Sequence, residues 1–395
     1  MEIETRQRLQ LKQVFDDYRL NPGTKRKLST EDSANFLINS NGIRVGFHLK
    51  PEQGVIKIPE PEDKLSLSVT TINLGGIGGY ETFYKSDINN PVTIEREKLL
   101  VEFYSWLEEK SSATDVICIQ DFPLFLRAGK QNPDFIKKIA SLGYEIVLVP
   151  YVYHETKPSD VEFRAESIGI LVNRNLLPRM KLKDISLIPH FQNQLHGNQK
   201  GDYLDWNPYY NIDPRNKDKL KETNPFWGQT LILTLEDDNG RSFQVGTLYI
   251  SPASSAIDRR RTLRRSIDIV KEAETPFILC GDTNMYGIKV DTSKPLLEDP
   301  FLVRSFPFKI ALMTLLGGIT KDGISRLNLE EVESFKRLAK RLNTNLLLPP
   351  KESLSKGPIK WIIDIGITNL NKTRSTSNIV KFTDHKEVIW ELVLN

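Results

Sequence analysis

The sequence predicts a layered α/β domain, either one large sheet or two packed sheets, with helices against the sheet faces. Two patterns and one bulk property predict it. From Leu65 onward, short β-type runs alternate with helical ones, the pattern of a layered α/β domain. Nine such runs over about 330 residues suffice for a large sheet or a two-sheet sandwich. A chain of 395 residues that is 39% hydrophobic and 27% charged can also bury a sizeable core, which excludes disorder as the main state.

In chain order, residues 1–63 are polar and uneven and read as an N-terminal appendage to a main domain over 64–395. The appendage opens with a helical segment carrying Leu11, Val14, Phe15 and Tyr18, which NPGTKRKLST breaks. The first strand is LSLSVTTIN. A helix over Glu95 to Glu109, the strand VICIQ, a helix over Pro133 to Leu142 and the strands EIVLVP and SIGILVN follow. An insertion at about 190–227 is polar and aromatic, with Tyr203, Trp206, Tyr209, Tyr210, Phe226 and Trp227, and is too long for a plain connector. After it come QTLILTL, FQVGTLYIS, a helix over Ile257 to Glu272 with an apolar stripe of Ile257, Leu263, Ile267 and Val270, and FILCGD. A second insertion, at about 286–358, contains the apolar stretch Pro307 to Ile319, read as buried chain or a lid. It also contains a helix over Asn328 to Asn343, with Asn328 as its cap and Leu329, Val332, Phe335, Leu338 and Leu342 as its packing stripe. IIDIGIT and EVIWELV close the domain.

Lys plus Arg number 54 and Asp plus Glu 51, giving a net charge of +3. That excludes a protein that coats nucleic acid by bulk charge alone, so any anionic partner must be met locally. Cys118 and Cys280 each sit in an apolar run, where cysteine acts as a small buried hydrophobe, and this favours a reducing compartment. MEIETRQRLQ has no apolar signal core, and no run reaches the roughly 18 apolar residues of a membrane span. The expectation is a soluble, intracellular (cytoplasmic) protein without a transmembrane segment.

Several strands end in polar residues that the strand itself does not need. In α/β sheets, strand ends are where loops converge and ligands sit. Asn73 ends the first strand and precedes LGGIGGY, and Gln120 with Asp121 ends the second. Tyr249 lies in FQVGTLYIS, Asp282 and Asn284 in CGDTN, and Asp364 in WIIDIGI. Thr383, Asp384 and His385 precede the last strand. Each alone has an ordinary structural explanation, such as a turn asparagine, a packed strand tyrosine or a surface Asp-His pair. Their recurrence at successive strand ends of one domain is what points to a site.

In this ordered set the chain resembles the endonuclease/exonuclease/phosphatase superfamily, over roughly Leu65 to Asn395. VTTIN is similar to the family's opening strand, with Asn73 at the phosphate-contacting asparagine. IQD looks like the Gln-Glu metal motif, with Asp121 in the Glu position. SIGILVNRN resembles the middle strand with its following basic residue, Arg174. TLYIS puts Tyr249 where members carry His or Tyr. CGDTN matches Gly-Asp-x-Asn fully, WIIDIGI matches the strand presenting the His-supporting Asp364, and FTDHKEV matches Ser-Asp-His with Thr383 in place of Ser. The resemblance implies a four-layer α/β/β/α sandwich of two packed, mainly antiparallel sheets. Two departures are chemical: Asp121 is one methylene shorter than Glu, and Thr383 keeps the hydroxyl.

The resemblance also implies an enzyme, a divalent-metal-dependent phosphodiester hydrolase. Attack on a phosphodiester adds negative charge, so catalysis must supply positive charge and aim a nucleophile in line. Mg²⁺, or Mn²⁺, would be the cofactor, with Asp121, Asn73 and Asp384 as candidate ligands or shell. Asp282 and Asn284 would orient and deprotonate water, while His385, held by Asp364, contacts the scissile phosphate; His385 as the base is the alternative. Tyr249 would donate to a nonbridging oxygen or aid the leaving group, and Asn73, Asn284, His385 and Tyr249 would bind substrate.

The expected partner is a phosphate ester, with nucleic acid favoured and a nuclease or DNA-end-processing phosphodiesterase as the activity. Aromatics beside Lys200, Arg215, Lys217, Lys219 and Lys221 in the first insertion suit base stacking next to a backbone. The arginines from Arg259 to Arg265 either contact phosphates or form a solvated helix face. Two alternatives remain: a phosphatase or phosphodiesterase on inositol phosphates or phospholipid headgroups, whose local support is Pro307 to Ile319, and a catalytically silent binding module.

Overall fold

The structure is a computed structural model. It describes residues 21–30, 36–51, 65–74, 91–155, 162–191, 228–250, 256–290 and 332–394, apart from short breaks at 43, 128–129, 132, 177–178, 285–287, 351–353, 357–358, 362–363, 371–372, 381–382 and 384. The opening helical segment, most of the aromatic insertion and Pro307 to Ile319 lie outside the described residues.

Two large sheets dominate. The first runs β1 (Arg26–Leu28), β9 (Lys181–Pro189), β10 (Gln229–Glu236), β11 (Ser242–Tyr249), β12 (Phe277–Asp282), β17 (Asp364–Thr368) and β14 (Asn345–Leu347). The second runs β18 (Thr373–Ile379), β19 (Lys386–Leu394), β4 (Leu65–Asn73), β5 (Val116–Arg127), β8 (Glu162–Asn173), β7 (Tyr144–Glu155), β3 (Arg44–Leu49) and β2 (Phe36–Ile38), with β6 (Lys130–Gln131) paired onto β5. A small third sheet joins β13 (Ile288–Val290), β16 (Ile359–Trp361) and β15 (Leu354–Lys356). The helices are α1 (Pro91–Lys110), α2 (Pro133–Ser141), α3 (Ala256–Lys271) and α4 over 332–341.

Side-chain alternation stacks these elements. In β7, Val147 and Val149 point into the core between the sheets, whereas Tyr144, Ile146 and Leu148 pack against α1 and α2. In β12, Ile278 and Cys280 face the same inter-sheet core, and Phe277 and Leu279 face α3 and α4. Strands buried on both faces read as continuous apolar runs, which is why EIVLVP and FILCGD show no polar alternation. The result is the four-layer α/β/β/α sandwich. Among the described residues the pairings are antiparallel except β4 with β5 and β11 with β12. Parallel neighbours need a crossover, and α1 and α3 supply it.

The structure refines the expected elements. The stripe of α3 holds for Leu263, Ile267 and Val270, but Ile257 in its first turn is 68% exposed. On α4, Val332, Phe335, Leu338 and Leu342 pack on the first sheet as expected. Strands β9 and β18 went unpredicted. In β9 a charged beginning hides the apolar end, and β18 (TRSTSNI) is a polar edge strand of the kind that deters sheet-to-sheet association. Within 1–63, β1 pairs with β9, and β2 and β3 extend the second sheet beside β7, so described parts of this segment are edge strands of both sheets.

Candidate functional site

The two parallel units place the site. At the carboxyl end of β4–α1–β5, Asn73 lies in register with Gln120; at that of β11–α3–β12, Tyr249 lies in register with Asp282. Antiparallel partners begin at the same level. β17 opens with Asp364 opposite Asp282, and His385 immediately precedes β19, whose Val388 pairs with Thr71. Chain direction therefore carries residues from distant segments to one end of the sandwich.

There they bond to one another. The Asn73 amide Nδ2 donates to Asp282 Oδ2 at 2.8 Å across the two sheets, and the Asn284 backbone N–H donates to Asp282 Oδ1 at 2.6 Å. Asn284 takes a left-handed φ of 45° and donates from Nδ2 to the Ile250 carbonyl at 2.8 Å. His385 Nδ1 donates to Asp364 Oδ2 at 3.1 Å. Thr383 Oγ1 donates to the Asn73 carbonyl at 2.8 Å and accepts the His385 N–H at 3.2 Å, so the hydroxyl kept in place of serine is in use. Asn73, Tyr249, Asp282, Asp364 and His385 are all buried.

Gly281 makes the approach to Asp282 possible. At its φ of 142°, a Cβ would fall 2.2 Å from the Leu248 carbonyl oxygen. Beneath the site, fully buried Gln120 donates from Nε2 to Thr71 Oγ1 at 3.0 Å and to Thr247 Oγ1 at 2.8 Å, tying the sheets together. This brace was not foreseen, because nothing in VICIQ indicates which hydroxyls its terminal amide will meet.

Electrostatically the site holds a surplus of carboxylate. Burial, and then the nearby Asp364 charge, push the Asp282 carboxyl up to about 7, against the lowering effects of His385 and of hydrogen bonds from Asn284 and Asn73. Ligand atoms of Asp282, Asp364 and His385 lie within 4.8 Å of one another, the one such acid-imidazole group among the described residues. Two buried carboxylates sharing one imidazole suit a cation, so the donor chemistry fits a divalent metal.

The expected metal ligands fall differently. Asn73 is hydrogen-bonded to Asp282, and Asp384 lies outside the described residues. Asp121 follows Gln120 at a β-bulge in β5, half-buried, with a φ of 51°. A non-glycine residue in that region costs about 1–3 kcal/mol and tends to mark functional positions. Asp121 is not one of the three clustered groups.

No protein-family model matches the sequence, and no curated protein matches it. Solved structures are similar in fold. An endonuclease/exonuclease/phosphatase family protein from Bacteroides thetaiotaomicron has 12% identity and a TM-score of 0.43, over 85% of this chain and 100% of that one. The human Nocturnin catalytic domain with a bound sulfate anion has 13% identity and a TM-score of 0.42, over 85% and 95%. An endonuclease/exonuclease/phosphatase from Beutenbergia cavernae has 13% identity and a TM-score of 0.45, over 84% and 72%.

Proposed function

We propose that the chain is a divalent-metal-dependent phosphodiester hydrolase of the endonuclease/exonuclease/phosphatase type, acting on nucleic acid as a nuclease or DNA-end-processing phosphodiesterase. One observation carries this reading. Buried Asn73, Asp282, Asp364 and His385 and half-buried Asn284 meet at one end of the sandwich, bonded as Asn73–Asp282–Asn284 and His385–Asp364, with Thr383 bonded to both Asn73 and His385.

Asp282 is the general base. A carboxyl held at about 7 accepts a proton from water far better at neutral pH than an ordinary aspartate. Each of its oxygens accepts one hydrogen bond from Asn73 or Asn284, which fixes the plane of the carboxylate and leaves lone pairs for water. As the water oxygen bonds to phosphorus, its proton passes to Asp282, and the bond from phosphorus to the leaving oxygen breaks. His385 is oriented through Nδ1 by Asp364, so Nε2 is the position that meets the phosphate or protonates the leaving oxygen. Tyr249, in register with Asp282, is the further donor. A bound Mg²⁺ or Mn²⁺ would supply Lewis-acid charge at the phosphoryl oxygens, held by Asp121 with Asn73 and Asp384.

The stretch that would favour a lipid headgroup, Pro307 to Ile319, lies outside the described residues, and the completeness of the polar group argues against a silent module. The test is hydrolysis of labelled DNA and RNA oligonucleotides, inositol phosphates and sphingomyelin, with Mg²⁺, with Mn²⁺ and with chelator. Oligonucleotide cleavage that stops with chelator and in Asp282→Asn is expected. Turnover of only the small or lipid esters would overturn the nuclease reading, and no turnover of any ester would overturn the hydrolase.

A further inference from the structure

Charge is distributed unevenly between the two outer helix layers. Against the second sheet, α1 and α2 carry six acidic and five basic residues. Against the first sheet, α3 and α4 carry ten basic and three acidic residues. That excess exceeds the net +3 of the entire chain, so the rest of the protein is net acidic. The α3–α4 layer is the basic one, with Arg259 buried within it and the other basic residues half-buried or exposed.

The two helices are joined along a seam. Arg260 Nη1 donates to Ser334 Oγ at 3.3 Å near one end, and Lys271 Nζ donates to the Leu342 carbonyl at 2.6 Å near the other. Both helices turn their apolar stripes into the sheet, leaving Arg260, Arg264, Arg337, Lys340 and Arg341 exposed. Arg264 has Asp268 at 3.7 Å, a solvent-screened pair of little weight. Among the described residues, no carboxylate pairs with Arg337, Lys340 or Arg341. α3 starts seven residues after Tyr249, so its arginine-rich first turns lie toward the site end of the sandwich.

We propose that this α3–α4 face is a docking track for a nucleic-acid backbone, holding the polymer alongside the sandwich while one segment reaches the site. The choice of polymer rests on the nuclease reading; the charge of the face does not. Sixteen residues of α3 span about 24 Å, a length suited to a row of phosphates. Guanidinium groups predominate and match phosphate oxygens in fork geometry. A membrane-seated helix needs an apolar face turned outward, but Ile257 is the single exposed large hydrophobic residue of α3 and α4 among the described residues.

The experiment uses the full chain in chelator, so that no cleavage occurs, and reads fluorescence anisotropy of a labelled single-stranded oligonucleotide against salt. The triple substitution Arg337→Gln, Lys340→Gln, Arg341→Gln should weaken binding about tenfold and flatten the slope of log affinity against log salt by about 2, at roughly 0.7 per phosphate contact. With Mg²⁺ restored, hydrolysis of a small chromogenic phosphodiester should be unchanged. Unaltered affinity and slope in the triple variant would overturn the proposal, as would absence of oligonucleotide binding in the parent or equal charge-dependent binding to phosphatidylserine vesicles. Intact, salt-sensitive binding with no turnover of any phosphodiester would support the track and count against the hydrolase reading alone.

Discussion

Two buried histidine–carboxylate pairs sit at opposite ends of the same sandwich. At the site end, His385 donates to Asp364 at 3.1 Å, with Asp282 close by. At the far end, where β7 begins, His48 Nε2 lies 2.6 Å from Glu145 Oε1, both buried. The difference is stoichiometric. One imidazole faces one carboxylate in the His48 pair, so charge can balance within it, and it pins β3 to β7. The site has two carboxylates for one imidazole, and burial first, then the Asp364 charge, raise the Asp282 carboxyl to about 7. A buried acid–histidine contact is thus not by itself a mark of chemistry. What sets the site apart is its surplus carboxylate.

The sharpest way to break this comparison is to exchange the consequences. Asp282→Asn should lower turnover of a labelled phosphodiester by about a thousandfold, within the range removed with a general base, while circular dichroism stays that of the parent. If Glu145→Gln cost as much activity, the two ends would not be functionally distinct. Next in size, Glu145→Gln, which removes the carboxylate partner of buried His48, should lower unfolding free energy by about 3 kcal/mol, the upper end of the cost of unpairing a buried polar group, with kcat unchanged in a denaturant titration and assay on the same preparation.

A smaller effect sharpens the boundary of the site. Gln120→Leu leaves two buried hydroxyls, on Thr71 and Thr247, without their amide donor, and should cost about 1–3 kcal/mol in melting experiments. If the brace also positions Asn73, which pairs with Gln120 in register, kcat should fall with KM little changed.

The last prediction is a pH dependence. Because the Asp282 carboxyl in the fold lies above its ordinary 3.8, its protonated form favours folding. This stabilisation is fully present below about 4 and is lost as pH rises through about 7. Activity has the opposite sign, rising about tenfold per unit up to about 7 as the base ionises. Melting temperature followed from pH 4 to 8 should therefore decline through this window in the parent and decline less in Asp282→Asn. Identical curves would remove the surplus-charge account.

Much of this was legible before folding was considered. CGDTN and the Thr-Asp-His run were visible as polar residues at strand ends, and their recurrence at successive ends, rather than either run alone, pointed to a site. Asn73 and Asp121 were visible for the same reason. The Gln120 brace, the register of Asp364 against Asp282, and the innocence of His48 and Glu145 were not, since each depends on partners far away in sequence. The edge strands β1, β2 and β18 were missed because they are short or polar, and pairing rather than apolar pattern defines them.

By itself, then, the sequence determined the succession of strands and helices and the inventory of reactive groups, since apolar runs and the polarity at their ends are properties of neighbouring residues. Tertiary structure decided which groups meet and which sign of charge prevails where they do. Asn73 and Asp282 are 209 residues apart, and only the packing of two sheets with their parallel strands ending at one level brings an amide to a carboxylate. The same packing excludes water from that contact, so burial, which no local stretch of sequence encodes, raises an ordinary aspartate carboxyl to about 7.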